Sequence, residues 1–233
     1  MLIVFRIIRL FSDMNMLQKR HGLLALALGA MLAASAPALA KSQGRPYNVD
    51  EIVRKTKAVY NSTSTAEISF EQSGAAGNIS GTLTYGKGDK YRLELPKQTI
   101  ISDGAKVWTY LPEKRQVLVS KSASGGSRLT PEDILTAFPG DYATELAGEQ
   151  TVNGRKVWVV RCTPGRGEKI GDVTRAVLYI DKATYRFQQI EVESPTLGSM
   201  KIRIVAAQYG GKIPDSRFTF TAPQDVRVVD LTR

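Results

Sequence analysis

Gln98-Thr99-Ile100-Ile101-Ser102-Asp103-Gly104-Ala105-Lys106-Val107-Trp108-Thr109-Tyr110-Leu111-Pro112-Glu113-Lys114-Arg115-Gln116-Val117-Leu118-Val119-Ser120 reads as three short apolar strands joined by two tight turns, the first at Asp103-Gly104. Strands this short and this closely spaced pair antiparallel. Their apolar side chains define a sheet face that something must fill.

Upstream the same period of two recurs. Ile68 and Phe70 alternate with Glu67, Ser69 and Glu71. Ile79, Gly81, Leu83 and Tyr85 alternate with Ser80, Thr82 and Thr84, and Tyr91, Leu93 and Leu95 with Arg92 and Glu94. Ser73-Gly74 and Gly86-Lys87-Gly88-Asp89 mark the turns between them. Downstream, Asn153-Gly154 predicts a type I′ hairpin between Gly148 to Val152 and Lys156 to Cys162. Further strands are expected at Ala176 to Asp181, Phe187 to Glu193, Lys201 to Val205 and Phe218 to Phe220, about eleven or twelve in all.

Two helices interrupt the meander. Asn48 or Asp50 caps the first, whose Ile52, Val53, Val59 and Tyr60 recur at helical spacing up to Asn61. Thr130 caps the second, with Pro131 at its first position, Ile134, Leu135 and Phe138 on its apolar side and Pro139-Gly140 as its stop. The fold class is therefore mainly β with small helices, built on a single antiparallel sheet. A sheet of this many strands curls, and its concave side is filled by helices, a second sheet or a ligand. Two short helices are a thin filling. Phe70, Leu83, Tyr91, Leu93, Ile101, Trp108 and Tyr110 are the inward candidates. Large and apolar, they suit either a pocket for aliphatic chains or a core in which they touch one another.

The start of the chain sets its compartment. Gln18-Lys19-Arg20-His21 forms a basic region, Gly22 to Ser35 an apolar one and Ala38-Leu39-Ala40 a small-x-small cleavage site. Residues 1–40 therefore read as a signal peptide cleaved after Ala40, with Met16 or Met14 as the true start. The apolar run is short for a membrane span, which needs about 20 apolar residues. Residues 41–233 make one domain. Lys41, not Cys, follows the cut, so no lipid-attachment site stands there. Losing Arg6, Arg9, Lys19, Arg20 and Asp13 lowers the net charge from +10 to +7. Such a balance suits anionic surfaces or acidic partners, and export argues against nucleic acid.

The mature chain lacks most catalytic side chains. His21, the one histidine, leaves with the signal peptide, which removes triads and His-ligated metals. Cys162 is the one cysteine and shares strand parity with Trp158 and Val160, as a buried hydrophobe would. Glu191 and Glu193 on one strand face Lys201 and Arg203 on the next as exposed charge pairs. No catalytic residue and no metal ligand set is expected.

Phe70-x-Gln72, Gly81-x-Leu83, Leu95-Pro96, Ile101-Ser102-Asp103-Gly104, Trp108-x-Tyr110-x-Pro112, Gln116-Val117, Thr130-Pro131 and Phe218-Thr219-Phe220-Thr221-x-Pro223-x-x-Val226 together resemble the outer-membrane lipoprotein carrier proteins of the LolA type. The resemblance covers most of residues 41–233. It implies an incomplete antiparallel β-barrel whose apolar cavity is covered by a helical lid, no cofactor, and a soluble, monomeric periplasmic carrier. Such a carrier takes triacylated lipoproteins from an inner-membrane ABC transporter and passes them to an outer-membrane acceptor, with transient membrane-surface contact. The lid would comprise the first helix, with Val53 and Tyr60 inward, and the helix carrying Ile134, Leu135 and Phe138. Where the family has a lid-latching arginine before a proline, this chain has Lys87-Gly88. Lysine lacks the planar five-donor fork, so Lys87 is either a weaker latch or a solvated turn residue. A shuttle for another lipid or glycolipid, and a periplasmic regulatory module of similar fold, remain as alternatives. In Gly165-Arg166-Gly167-Glu168-Lys169, a mobile hairpin connection competes with an anion-holding loop.

Overall fold

The computed structural model describes residues 47–74, 77–122, 142–164, 173–195 and 198–232. The signal segment, the second helix with Ile134, Leu135 and Phe138, and the loop from Gly165 to Lys169 lie outside the described residues.

Among the described residues, one α-helix and twelve strands follow in chain order. Helix α1 spans Val49–Asn61. The strands are β1 Thr65–Gly74, β2 Ile79–Gly86, β3 Lys90–Leu95, β4 Gln98–Asp103, β5 Lys106–Leu111 and β6 Gln116–Lys121. After these come β7 Tyr142–Val152, β8 Arg155–Pro164, β9 Arg175–Asp181, β10 Phe187–Ser194, β11 Gly198–Tyr209 and β12 Arg227–Asp230. All twelve strands form one sheet in the order β12-β6-β5-β4-β3-β2-β1-β11-β10-β9-β8-β7. Every pair is antiparallel except β12 with β6, which is parallel. The first and last strands of that order do not pair, so the sheet curls without closing. It is a half-open barrel.

Local chemistry sets the punctuation. The Asn48 side chain accepts the Asp50 backbone N–H at 2.9 Å and caps α1, and Glu51 pairs with Lys55 one turn on. Asn153 (φ 51°) and Gly154 (φ 75°) both have the left-handed backbone that a type I′ turn requires. The turn of Pro112 to Lys114 ends on Arg115 at φ 47°.

The expected strand at Phe218 to Phe220 is absent. Asp215–Phe218 is a short 3-10 turn and the residues after it run extended to β12. Instead of pairing, this segment straps the convex face across β3 and β4. Phe218 is buried against Gly86, where an added Cβ would lie 2.9 Å from the ring. Lys90 pairs with Asp215 at 2.8 Å, Arg115 with Asp225 at 3.0 Å, and the Tyr110 and Phe220 rings lie 5.5 Å apart. Phenylalanines two apart look like strand alternation. Here Phe218 needs a seat that only a glycine on β2 leaves open.

Candidate functional site

Residues directly opposite in a sheet share a face, so the registers sort every strand position. Ile68, Leu83, Leu93 and Ile100 form one row and Ala66, Tyr85, Tyr91 and Ser102 another, all on the concave side. Across β1 the concave face continues through Ile202, Ile190, Leu178 and Val160, with Met200, Val192, Ala176 and Cys162 beside them. The apolar members of these rows belong to one contiguous cluster spanning both halves of the sheet. Phe70 lies over Gly81, whose missing side chain is what admits the ring; a Cβ there would stand 2.6 Å from Phe70 Cζ.

Of the seven predicted lining residues, the structure brings Phe70, Leu83, Tyr91 and Leu93 together on the concave face. Ile101, Trp108 and Tyr110 are on the convex side, and this corrects their assignment. Ile101 stands opposite Trp108 and Arg92, and Tyr110 opposite Thr99. Val119 lies opposite Trp108 and Val117 opposite Tyr110 on that side, and Phe220 of the strap packs on Tyr110. Burial on both faces explains the error: Ile100 and Ile101 are both buried, one by the concave cluster and one under the strap side, so alternation gives no parity to read.

The concave positions of β1 to β6, of Val160 to Cys162 on β8, of Ala176 to Ile180 on β9, of Ile190 to Ser194 on β10 and of Met200 to Ile204 on β11 carry no charge. Charges that share this parity, Glu149, Lys156 and Arg227, are exposed at the β7–β8 hairpin end and on edge strand β12. The convex face is the opposite: Arg203 pairs with Glu71, Lys201 with Glu191 at 3.3 Å and Arg175 with Glu193 at 2.9 Å. That ladder places Glu191 and Glu193 among solvated ion pairs, away from any cleft chemistry.

Helix α1 crosses one end of the concave face. Ile52 and Thr56 are buried, and Val53 and Tyr60 pack on the cluster. The Tyr60 ring stacks on Phe187 at 5.0 Å and its hydroxyl accepts the Phe187 backbone N–H at 3.0 Å. Burial, reinforced by the nearby Tyr209, holds the Tyr60 phenol well above the usual tyrosine range. Arg186 stacks over Tyr209 at 3.5 Å. At the helix start Tyr47 meets Trp158 edge-on at 5.5 Å, and Tyr185 lies 5.1 Å from Trp158. Lys55 donates to the Tyr185 hydroxyl at 3.2 Å, and Lys182, bonded to Glu149 at 2.6 Å, sits over Tyr47. Lys55, Lys182 and Arg186 are thereby engaged by rings and carboxylates.

Lys87 is exposed, and among the described residues its ammonium has no partner. Its backbone N–H, however, donates to the Ser64 carbonyl at 3.0 Å, just past the C-terminus of α1. Cys162 is fully buried and burial pushes its thiol up to about 12, so it is protonated at neutral pH and serves as a small apolar side chain. No group of three metal-ligating side chains exists among the described residues. What the sequence reading missed is the β8–β11 half of the concave wall, where Ile180, Ile190, Ile202 and Phe187 join Leu178 in the cluster. The parity opposite to Glu191 and Glu193 is the signal that finds Ile190 and Val192.

A family model described as "Uncharacterized protein" matches residues 89–202. No curated protein matches the chain. Among solved structures the chain is similar to an uncharacterized conserved protein from Thermus thermophilus, at 15% identity and a TM-score of 0.55, over 78% of this chain and 98% of that one. This likeness is one of fold. The chain is also similar to a LolA superfamily protein from Nitrosomonas europaea, at 13% identity and a TM-score of 0.37, over 73% of this chain and 97% of that one. A third similar structure is the Pseudomonas aeruginosa MucA/MucB complex, at 13% identity and a TM-score of 0.43, over 77% of this chain and 62% of that one.

Proposed function

We propose that this chain is an exported carrier that holds the acyl chains of lipoproteins against its concave face and moves them between membranes. The observation that carries the reading is the uncharged, largely apolar concave wall of a sheet that does not close. Each methylene transferred from lipid to water costs about 0.8 kcal/mol, so a triacylated protein faces tens of kcal/mol and needs such a wall to cross an aqueous space. Phe70, Leu83, Tyr91 and Leu93 form part of that wall, and α1, through Val53 and Tyr60, is the movable cover at one end. On this reading residues 1–40 direct export to the periplasm, and the mature chain is a monomer without a cofactor. It is loaded by an inner-membrane ABC transporter and unloaded at an outer-membrane acceptor.

The test is native mass spectrometry of the chain isolated from a periplasmic extract, before and after incubation with membranes containing triacylated lipoproteins. A one-to-one lipoprotein adduct is expected. A small-lipid adduct would mean a shuttle for another lipid, and the absence of any adduct would refute chain binding and favour a protein-interaction module. Leu93→Glu, which puts a charge in the middle of the wall, is expected to abolish loading.

A further inference from the structure

Resting on the carrier reading, we infer that the junction between α1 and β1 is a binding site for a phosphate group, carried on a lipid headgroup or free in solution, with Arg186, Lys87 and Lys212 as its cations. Three segments meet there at successive residues. Arg186, from the turn between β9 and β10, donates from Nη1 to Thr63 Oγ1 at 3.5 Å. The Lys87 backbone N–H, from the turn between β2 and β3, donates to the Ser64 carbonyl at 3.0 Å. Past the end of β11, the Gly210 N–H donates to the Thr65 carbonyl at 2.8 Å and the Gly211 carbonyl accepts the Thr65 hydroxyl at 3.0 Å, with Lys212 one residue on. Thr63, Ser64 and Thr65 thus each anchor a segment that brings one cation.

Among the described residues no carboxylate pairs with any of the three. The acids beside them are engaged elsewhere: Asp181 by Ala183, Thr184 and Arg155, Asp215 by Lys90, and Asp89 by its own contacts. Arg186 is the preorganised member. Its guanidinium lies 3.5 Å from the centre of the Tyr209 ring and 6.0 Å from that of Tyr60. One face is fixed on aromatic surface, while the edge of the fork keeps N–H donors beyond the Thr63 contact. The last turn of α1 contains no basic residue, and its carbonyl end attracts positive charge. One cation would answer that end; three from separate segments leave charge for a ligand.

The number of cations selects the ligand. A terminal phosphate has close to two negative charges and three strong acceptor oxygens, which suits one planar fork and two ammonium groups. A carboxylate has one charge and two oxygens, and the fork alone would satisfy it. The junction adjoins Tyr60 and Tyr209, which pack against the concave cluster. A phosphate held there on a lipid leaves its chains beside the apolar wall.

The experiment is calorimetric titration of the chain isolated from a periplasmic extract with dihexanoylphosphatidic acid, dihexanoylglycerol and inorganic phosphate. The phosphatidic acid is expected to bind on the order of tenfold more tightly than the phosphate-free glyceride, the equivalent of one charge-assisted hydrogen bond. Saturable binding of inorganic phosphate as well would mark the free anion as a ligand, and its absence would assign the site to lipid headgroups. Arg186→Gln with Lys212→Gln is expected to remove the advantage and leave dihexanoylglycerol unchanged, and Arg186→Lys to restore only part of it. Equal affinity for the two lipids on the unaltered chain would overturn the inference and leave chain binding standing, whether or not the variants fold. So would an equal loss in Lys97→Gln with Lys114→Gln, at the opposite end of the sheet, since that is an effect of net charge. If neither lipid binds, the carrier reading itself fails and the inference with it.

Discussion

A methyl group added at Gly81 would stand 2.6 Å from Phe70 Cζ, 2.8 Å from Leu95 Cδ2 and 3.0 Å from the Glu94 carbonyl oxygen. The Leu95 side chain is half-buried and able to yield, but Phe70 is 1% exposed and the carbonyl is backbone. Overpacking of this kind costs about 1–3 kcal/mol, and replacing a strand glycine returns about 0.5–1 kcal/mol through the unfolded chain. Gly81→Ala is therefore expected to destabilise by up to roughly 2.5 kcal/mol, lowering the melting temperature by up to roughly 10 °C for a domain of this size. Urea unfolding of Gly81→Ala, Phe70→Leu and the double variant checks the cause. If the ring is what the methyl meets, the second substitution relieves part of the first. Additive losses would refute the packing of Phe70 on Gly81.

Phe218→Ala empties the seat against Gly86 and is expected to cost about 3–5 kcal/mol, read by urea unfolding, with faster amide exchange in β12 than in β1. Cys162 is expected to resist thiol reagents at pH 8 in the folded protein and to react fully in urea, because the folded thiol is pushed up to about 12. Asp181 is buried, which by itself raises its carboxyl. The Thr184 N–H and hydroxyl, the Ala183 N–H and Arg155 together outweigh that and hold it below the usual range. A depressed acid stabilises the fold above its unfolded value and loses that contribution as pH falls. Stability should therefore drop as the pH passes below about 4, and Asp181→Asn should flatten that drop in melts recorded across pH.

The sheet was legible because most of its strands have one wet face. Glu67, Ser69 and Glu71 against Ile68 and Phe70 announce both a strand and its inward side, and Asn153-Gly154 announces its hairpin. Parity failed where water is excluded from both faces. Around Ile100-Ile101 and Val117-Leu118-Val119 the strap covers the convex side, and a one-residue change of parity moves every side chain to the other face. No local pattern distinguishes Phe218 packed on Gly86, far upstream in the chain, from a phenylalanine in a strand.

In a closed barrel, strand number and stagger dictate the diameter. This sheet stops short of that condition, because β7 and β12 end it as separate edges. Its girth is therefore not fixed by a closure condition, and a change in twist between neighbouring strands would widen or narrow the trough. On the carrier reading proposed above, such a trough need not match one cargo volume, and the chains it takes can differ in number and length.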